Sequence, residues 1–222
     1  MTLHREIVLL DMNGTFMFGG DRFGPDEDYW LAYREFGGTR DRDTVNRSIK
    51  TVFDHLAVRY NDPGFFDNFP RVEEALAVVN PGLSDDEVGR LAAVFARHEL
   101  GRIPDEYSEA VRALATRHRL GIVGDIWAEK SLWIDELDRA GILHLFEAVV
   151  ISSDIGSVKP SPALMRTALR IMKAEPDDAI VIGDSAFRDG GGALAAGVPF
   201  ILVGGQRHHV ALAHASSLLE LV

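Results

Sequence analysis

The chain has 222 residues, 46% of them apolar and 26% charged, with a formal net charge of -11. That length accommodates one core-forming domain plus a smaller insert, and the apolar share is ordinary for a globular protein. The negative balance argues against non-specific nucleic-acid binding, which relies on Lys and Arg neutralising phosphates, and the lack of cysteine removes disulfides, thiolate nucleophiles and cysteine-held metals. No uncharged apolar run reaches the roughly 18 residues that mark a membrane helix. Met1-Thr2-Leu3-His4-Arg5-Glu6 leads directly into a strand candidate without the apolar region of a signal peptide, so a cytoplasmic protein is expected.

Ile7-Val8-Leu9-Leu10 reads as a short buried strand, and Asp11-Met12-Asn13-Gly14-Thr15 follows at its carboxyl end as a turn rich in backbone donors. The stretch Phe16 to Gly24 is unusually apolar for a loop; it serves either to screen a site from water or to seal a domain junction. From about Phe18 to Ile103 the pattern is helical, near Glu27–Phe36, Thr44–Tyr60, Val72–Val79 and Asp85–Glu99, with Pro63-Gly64, Pro70 and Pro81-Gly82 as punctuation. Ser84-Asp85-Asp86-Glu87 has the form of a capping box.

A helical pattern over Asp105–His118 precedes the strand-like run Leu120–Gly124, and a helix near Ala128–Arg139 precedes another at Phe146–Ser152. Ala179–Gly183 and Phe200–Val203 complete a set of repeated βα units. The expectation is an α/β fold: a Rossmann-like three-layer domain (residues 1–17 and 104–222) with a mostly parallel five-stranded sheet. A small helical cap (residues 18–103) is inserted after the first strand.

Asp184 follows its strand-like run as Asp11 follows the first, and two strand-end carboxylates in one α/β domain suggest a divalent-cation site. Arg22, Tyr29, Arg34 and Lys50 are candidate cap contacts that the sequence does not rank. Trp127 and Trp133 either shape the pocket or pack the following helix, packing being the better reading, and His208 and His209 read as surface or local hydrogen-bonding groups without a metal-binding partner at informative spacing.

Four landmarks carry a family resemblance: Asp11-Met12-Asn13-Gly14-Thr15, Ile122-Val123-Gly124-Asp125, Ser157-Val158-Lys159-Pro160 and Gly183-Asp184-Ser185-Ala186-Phe187-Arg188-Asp189. In this order and spacing they resemble the haloacid-dehalogenase superfamily, its phosphatase-like members most closely, over nearly the whole chain. The resemblance implies that the first and fourth strands lie side by side, so that Asp11 and Asp184 converge on Mg²⁺. The backbone carbonyl of Asn13 adds a ligand, and Asp189 acts as a ligand or as an acceptor for metal-bound water; Asp189 can equally cap the helix near Gly190. Asp11 is then the nucleophile that forms an aspartyl-phosphate, and Lys159 offsets charge on Asp11 and the transferring phosphoryl group. Gly14 and Thr15 fit an anion-binding turn.

Two positions depart from the family pattern. Asn13 stands where family phosphatases usually carry the Asp that protonates the leaving oxygen, and Gly124 stands where a Ser or Thr normally holds a phosphoryl oxygen. Asp125, where many relatives have Asn, is either a loop cap or a substrate-facing group. The leading expectation is a Mg²⁺-dependent hydrolase acting on a small phosphorylated metabolite, as monomer or homodimer. The alternatives are a catalytically impaired member that binds metal or phosphorylated ligand, and a haloacid dehalogenase, which the paired acids fit less well.

Overall fold

In the computed structural model, which describes residues 5–222, a parallel sheet forms the middle layer. Of the stretch Met1-Thr2-Leu3-His4-Arg5-Glu6, read as lacking the apolar region of a signal peptide, the first four residues lie outside the described residues. Strand β1 (Ile7–Leu10) is buried along its length and leads to a helical insert: α1 (Trp30–Glu35), α2 (Arg42–Tyr60), α3 (Val72–Val79) and α4 (Asp85–Glu99). The chain then returns through α5 (Asp105–Ala115), β2 (Arg119–Gly124), α6 (Ser131–Arg139), β3 (Phe146–Ile151), the short α7 (Ser152–Ile155) and α8 (Ala163–Met172). β4 (Ala179–Gly183), α9 (Gly191–Ala196), β5 (Phe200–Leu202) and β6 (Ala213–His214) complete it.

The sheet, of order β3-β2-β1-β4-β5-β6, thus has six strands rather than the five read from sequence; two residues at β6 are too short to show a period-2 pattern. Alternation along β1 builds the layers. Val8 and Leu10 face a cluster with Val111 and Leu114 of α5 and Trp133 and Leu137 of α6, whereas Ile7 and Leu9 face Leu164, Met165 and Ala168 of α8 and Ala193 of α9. The first cluster continues without a break into Val45, Ile49, Val52 and Leu56 of α2, so core and cap share one apolar body.

The insert's helices have local reasons to start where they do. Asp41 caps α2 by accepting from Thr44 N at 2.9 Å, and Ser84 caps α4 by accepting from Glu87 N at 3.4 Å. The second half of the expected capping box is absent, because the Glu87 carboxylate takes the Tyr33 hydroxyl and faces Arg40 instead.

The two linkers between sheet and insert pair with each other. Phe18 and Arg102 exchange backbone hydrogen bonds of 2.9 and 2.7 Å, Asp21 N donates to Glu99 O and Arg22 N to His98 O. Gly20 is needed at this crossing: a Cβ there would lie 2.3 Å from Glu99 O. Phe16 and Met17 are fully buried and Phe18 packs against Tyr107, so the apolar stretch after Asp11 seals the junction. No helix among the described residues is long and apolar enough to cross a membrane.

Candidate active site

The sheet brings the key carboxylates together. β1 lies between β2 and β4, with Leu10 in register with Ile122 and Ile182, and Asp11 N extends the pairing by donating to Ile182 O at 2.9 Å. Asp11 therefore emerges beside Gly183-Asp184, at the crossover where α/β sheets hold ligands. After β4, Ser185 Oγ accepts from Arg188 N at 3.1 Å and starts a π-helical turn over Ala186–Gly190, which folds Asp189 back toward Asp11. Oxygens of Asp11, Asp184 and Asp189 all lie within 4.8 Å of one another.

Lys159 crosses this cluster. Its Nζ lies 2.6 Å from both Asp11 Oδ1 and Asp189 Oδ1 and donates to Val123 O at 3.1 Å. Thr15 Oγ1 donates to Asp11 Oδ2 at 3.2 Å, and Asp189 Oδ2 accepts from Ser185 N at 2.9 Å. Burial pushes the Asp11 carboxyl up to about 8, against the pull of Lys159 and with the repulsion of Asp189 and Asp184 added. The Lys159 ammonium is also buried, which disfavours charge, yet Asp11, Asp189 and Asp125 hold it protonated well above the ordinary lysine range. Burial and the neighbouring Asp189 raise Asp184 as well.

One ammonium among these acids leaves an excess of negative charge. A cluster of carboxylate oxygens with that excess fits a hard divalent cation such as Mg²⁺, and Asp11, Asp184 and Asp189 are the side chains that would hold it.

Asp125 follows β2 and joins the lysine loop to the cap. Its Oδ1 accepts from Lys159 N at 3.0 Å and its Oδ2 accepts from the Tyr60 hydroxyl at 2.7 Å. Arg188 completes the junction: it donates to Lys159 O, to Tyr60 O and to Asn61 Oδ1, with its guanidinium carbon 3.6 Å from the Tyr60 ring centroid.

Of the residues singled out from sequence, Asp11, Asn13, Asp125, Lys159, Asp184 and Asp189 line one cavity of about 480 Å³. Gly14, Thr15 and Gly124, expected at the substrate, are not among the residues that line this cavity. Thr15 is buried with its hydroxyl turned to Asp11, and its N–H goes to Met12 O, while Gly14 N donates to Met17 O. Gly14 adopts φ +75°, and a Cβ there would sit 2.5 Å from Asp184 Oδ2. Gly124 is closed off by Met12, whose Cε lies 2.9 Å from where a Cβ would be.

Trp127 lines the cavity, while Trp133 is buried in the core. Sequence reasoning missed Tyr60, Arg188, Asp21 and Glu99. Arg188 lay inside a quoted landmark. Glu99, an acid closing an amphipathic helix, gave no sign that both its oxygens would accept backbone N–H groups of the core, from Trp127 at 2.6 Å and Ala128 at 3.0 Å.

Residues 90–203 match the model of the haloacid dehalogenase-like hydrolase family. A phosphoserine phosphatase of Thermus thermophilus is 34% identical over 129 residues, which are 57% of this chain and 51% of that protein. The chain spans about half the length of the curated relatives it matches. Among solved structures, a HAD phosphatase from Thermococcus onnurineus superposes with a TM-score of 0.62 at 21% identity, covering 97% of this chain and 95% of that one. A 2-haloacid dehalogenase from Pseudomonas syringae superposes with a TM-score of 0.63 at 22% identity, covering 98% and 96%. These two likenesses concern the fold alone.

Proposed function

The chain belongs to the haloacid dehalogenase-like hydrolase family, and from that premise we propose that it is a Mg²⁺-dependent phosphatase of small phosphorylated metabolites. The observation that carries this reading is the convergence of Asp11, Asp184 and Asp189 within 4.8 Å, with Lys159 bridging two of them. A bound divalent cation supplies Lewis-acid stabilisation of phosphoryl oxygens.

In this reading an Asp11 oxygen attacks phosphorus while the bond from phosphorus to the leaving oxygen breaks. Water then cleaves the aspartyl-phosphate, releasing inorganic phosphate and regenerating the carboxylate. Lys159 keeps Asp11 oriented and offsets charge that develops on the phosphoryl group. Asn13 lines the cavity and can donate a hydrogen bond to the leaving oxygen, but an amide transfers no proton at neutral pH. Leaving groups that depart readily as anions, such as the carboxylate of an acyl phosphate, suit this site best. The T. thermophilus relative, a phosphoserine phosphatase, supports phosphate-ester chemistry, and the substrate itself is not carried over.

The test is phosphate release from phosphomonoesters and acyl phosphates, and halide release from 2-haloacids, each with Mg²⁺ and with EDTA. Metal-dependent phosphate release that Asp11→Asn abolishes supports the proposal. Saturable phosphate or metal binding without turnover would identify an impaired member, the reading that Asn13 favours. Halide release independent of metal would make it a dehalogenase.

A further inference from the structure

The cavity that holds the acidic cluster has a second wall whose chemistry differs from that of the phosphoryl end. Phe53, Ala57 and Tyr60 of α2 and Trp127 of the loop after β2 line it, with Asp21 of the outbound linker and Glu99 at the end of α4. The Trp127 ring stacks on Phe53 at 5.8 Å and meets Tyr60 edge-on at 5.1 Å, so the three rings form one continuous surface. Glu99 sits against this surface, its Oε1 bound to Trp127 N at 2.6 Å. Asp21 remains open to solvent.

The cations on the cavity wall are already engaged. Among the described residues they are Lys159 and Arg188. Lys159 Nζ is surrounded by Asp11, Asp189 and Val123 O, and the Arg188 guanidinium holds Lys159 O, Tyr60 O and Asn61 Oδ1. A substrate that carried a carboxylate beyond its phosphate would meet aromatic faces and Asp21, with the Arg188 guanidinium already turned to Lys159 O, Tyr60 O and Asn61 Oδ1. Aromatic faces beside a carboxylate are instead the surroundings that attract an ammonium, through the negative ring face and direct charge attraction.

We propose that the substrate is a phosphate ester or anhydride whose other end is a primary amine or quaternary ammonium, received by Phe53 and Trp127 together with Asp21. The assignment rests on the phosphatase reading for the phosphoryl end, and on this wall alone for the cationic end. A cavity of about 480 Å³ is of the right size for such a small molecule.

The test compares matched phosphates that differ in distal charge: phosphocholine and phosphoethanolamine, neutral glycerol 1-phosphate, and anionic 2-phosphoglycolate. Turnover is measured with wild-type protein and Mg²⁺, and binding by calorimetry on Asp11→Asn. The cationic compounds are expected to exceed the neutral one by about tenfold in kcat/KM or affinity, with the anionic one weakest. Asp21→Asn and Trp127→Leu should each shrink the cationic-to-neutral ratio several-fold. Equal or better use of the neutral or anionic compound overturns the cationic assignment and leaves the phosphatase reading standing. Cation-selective binding without turnover of any phosphate does the reverse. No binding and no turnover of any of the four overturns both.

Discussion

The Tyr60 hydroxyl donates to Asp125 Oδ2 across 2.7 Å, tying the last residue of the cap helix α2 to the residue that follows β2. The other Asp125 oxygen holds Lys159 N, so a line of contacts runs from the cap through Asp125 to the ammonium that touches Asp11. Tyr60→Phe keeps the ring over Arg188 and removes only the donor. A buried carboxylate that loses one of its partners destabilises a protein by about 1–3 kcal/mol. We therefore expect a lower Tm and a kcat reduced by roughly tenfold or less, as the lysine loop loses its positioning. Thermal unfolding and Mg²⁺-dependent phosphate release check this; wild-type values for both would show that the Tyr60–Asp125 contact positions nothing.

Removing the ammonium should expose the repulsion among the acids. In Lys159→Met, Asp11, Asp184 and Asp189 face one another without it, and breaking a buried ion pair on one side typically costs about 3–5 kcal/mol. The metal-free variant should melt well below wild type, and Mg²⁺ should raise its Tm by more than it raises that of wild type, because the cation then relieves a larger charge excess. Phosphate release should be lost. Scanning fluorimetry with EDTA and with Mg²⁺ measures the two shifts, and a smaller shift in the variant contradicts this account of the site.

Stability should fall as pH rises. Burial holds the Glu99 carboxyl at about 8 against an ordinary value of 4.5, and that of Asp11 at about 8 against 3.8. Between those values the folded chain binds protons that the unfolded chain has released, so these groups' contribution is full below their unfolded values and lost on passing upward through the folded ones. In EDTA the Tm should therefore decline from about pH 4.5 to about pH 8. Mg²⁺ should remove the part due to Asp11 and Asp184, since a cation favours their ionised forms. Glu99→Gln should flatten what remains, whatever its effect on the absolute Tm. A slope in Mg²⁺ that is the same with and without Glu99 would assign the residual titration elsewhere.

The strands, the helical insert and the acids at the strand ends were legible because each has a local signature: an apolar run ending in Asp11, another ending in Asp184, and proline-punctuated helices between Phe18 and Ile103. What could not be read is what depends on contacts between distant segments. Tyr60 and Asp125 are 65 residues apart and Glu99 and Trp127 are 28 apart, and neither pair leaves a pattern in either segment alone. Gly14 and Thr15 carried the right composition for an anion-binding turn. Yet the N–H groups of Thr15, Phe16 and Met17 all converge on Met12 O, a choice set by the fold of the turn. The second half of the capping box is lost to a distant partner: Tyr33, 54 residues from Glu87, competes successfully for its carboxylate.

The two departures from the family pattern have different physical standing, and substitution should separate them. Asn13 lines the cavity, so Asn13→Asp places a carboxyl where a leaving oxygen can reach it, and the surrounding acids favour its protonated form. A general acid contributes about 10²–10⁴-fold to such reactions, so turnover of phosphomonoesters with poor leaving groups should rise by up to about 10²-fold. Acyl phosphates, which need no proton on the departing oxygen, should change little. Gly124→Ser is different: its Cβ would come within 2.9 Å of Met12 Cε, so the methionine must move before the hydroxyl can be useful. Because Met12 Cε is the far end of a flexible side chain, that adjustment should cost only about 1 kcal/mol, and it should bring no rate gain unless the methionine swings clear. Steady-state rates on the two substrate types, with Tm values for each variant, distinguish the cases. A gain from Gly124→Ser alone, or an equal gain on acyl phosphates from Asn13→Asp, would mean that proton transfer to the leaving group is not what this site lacks.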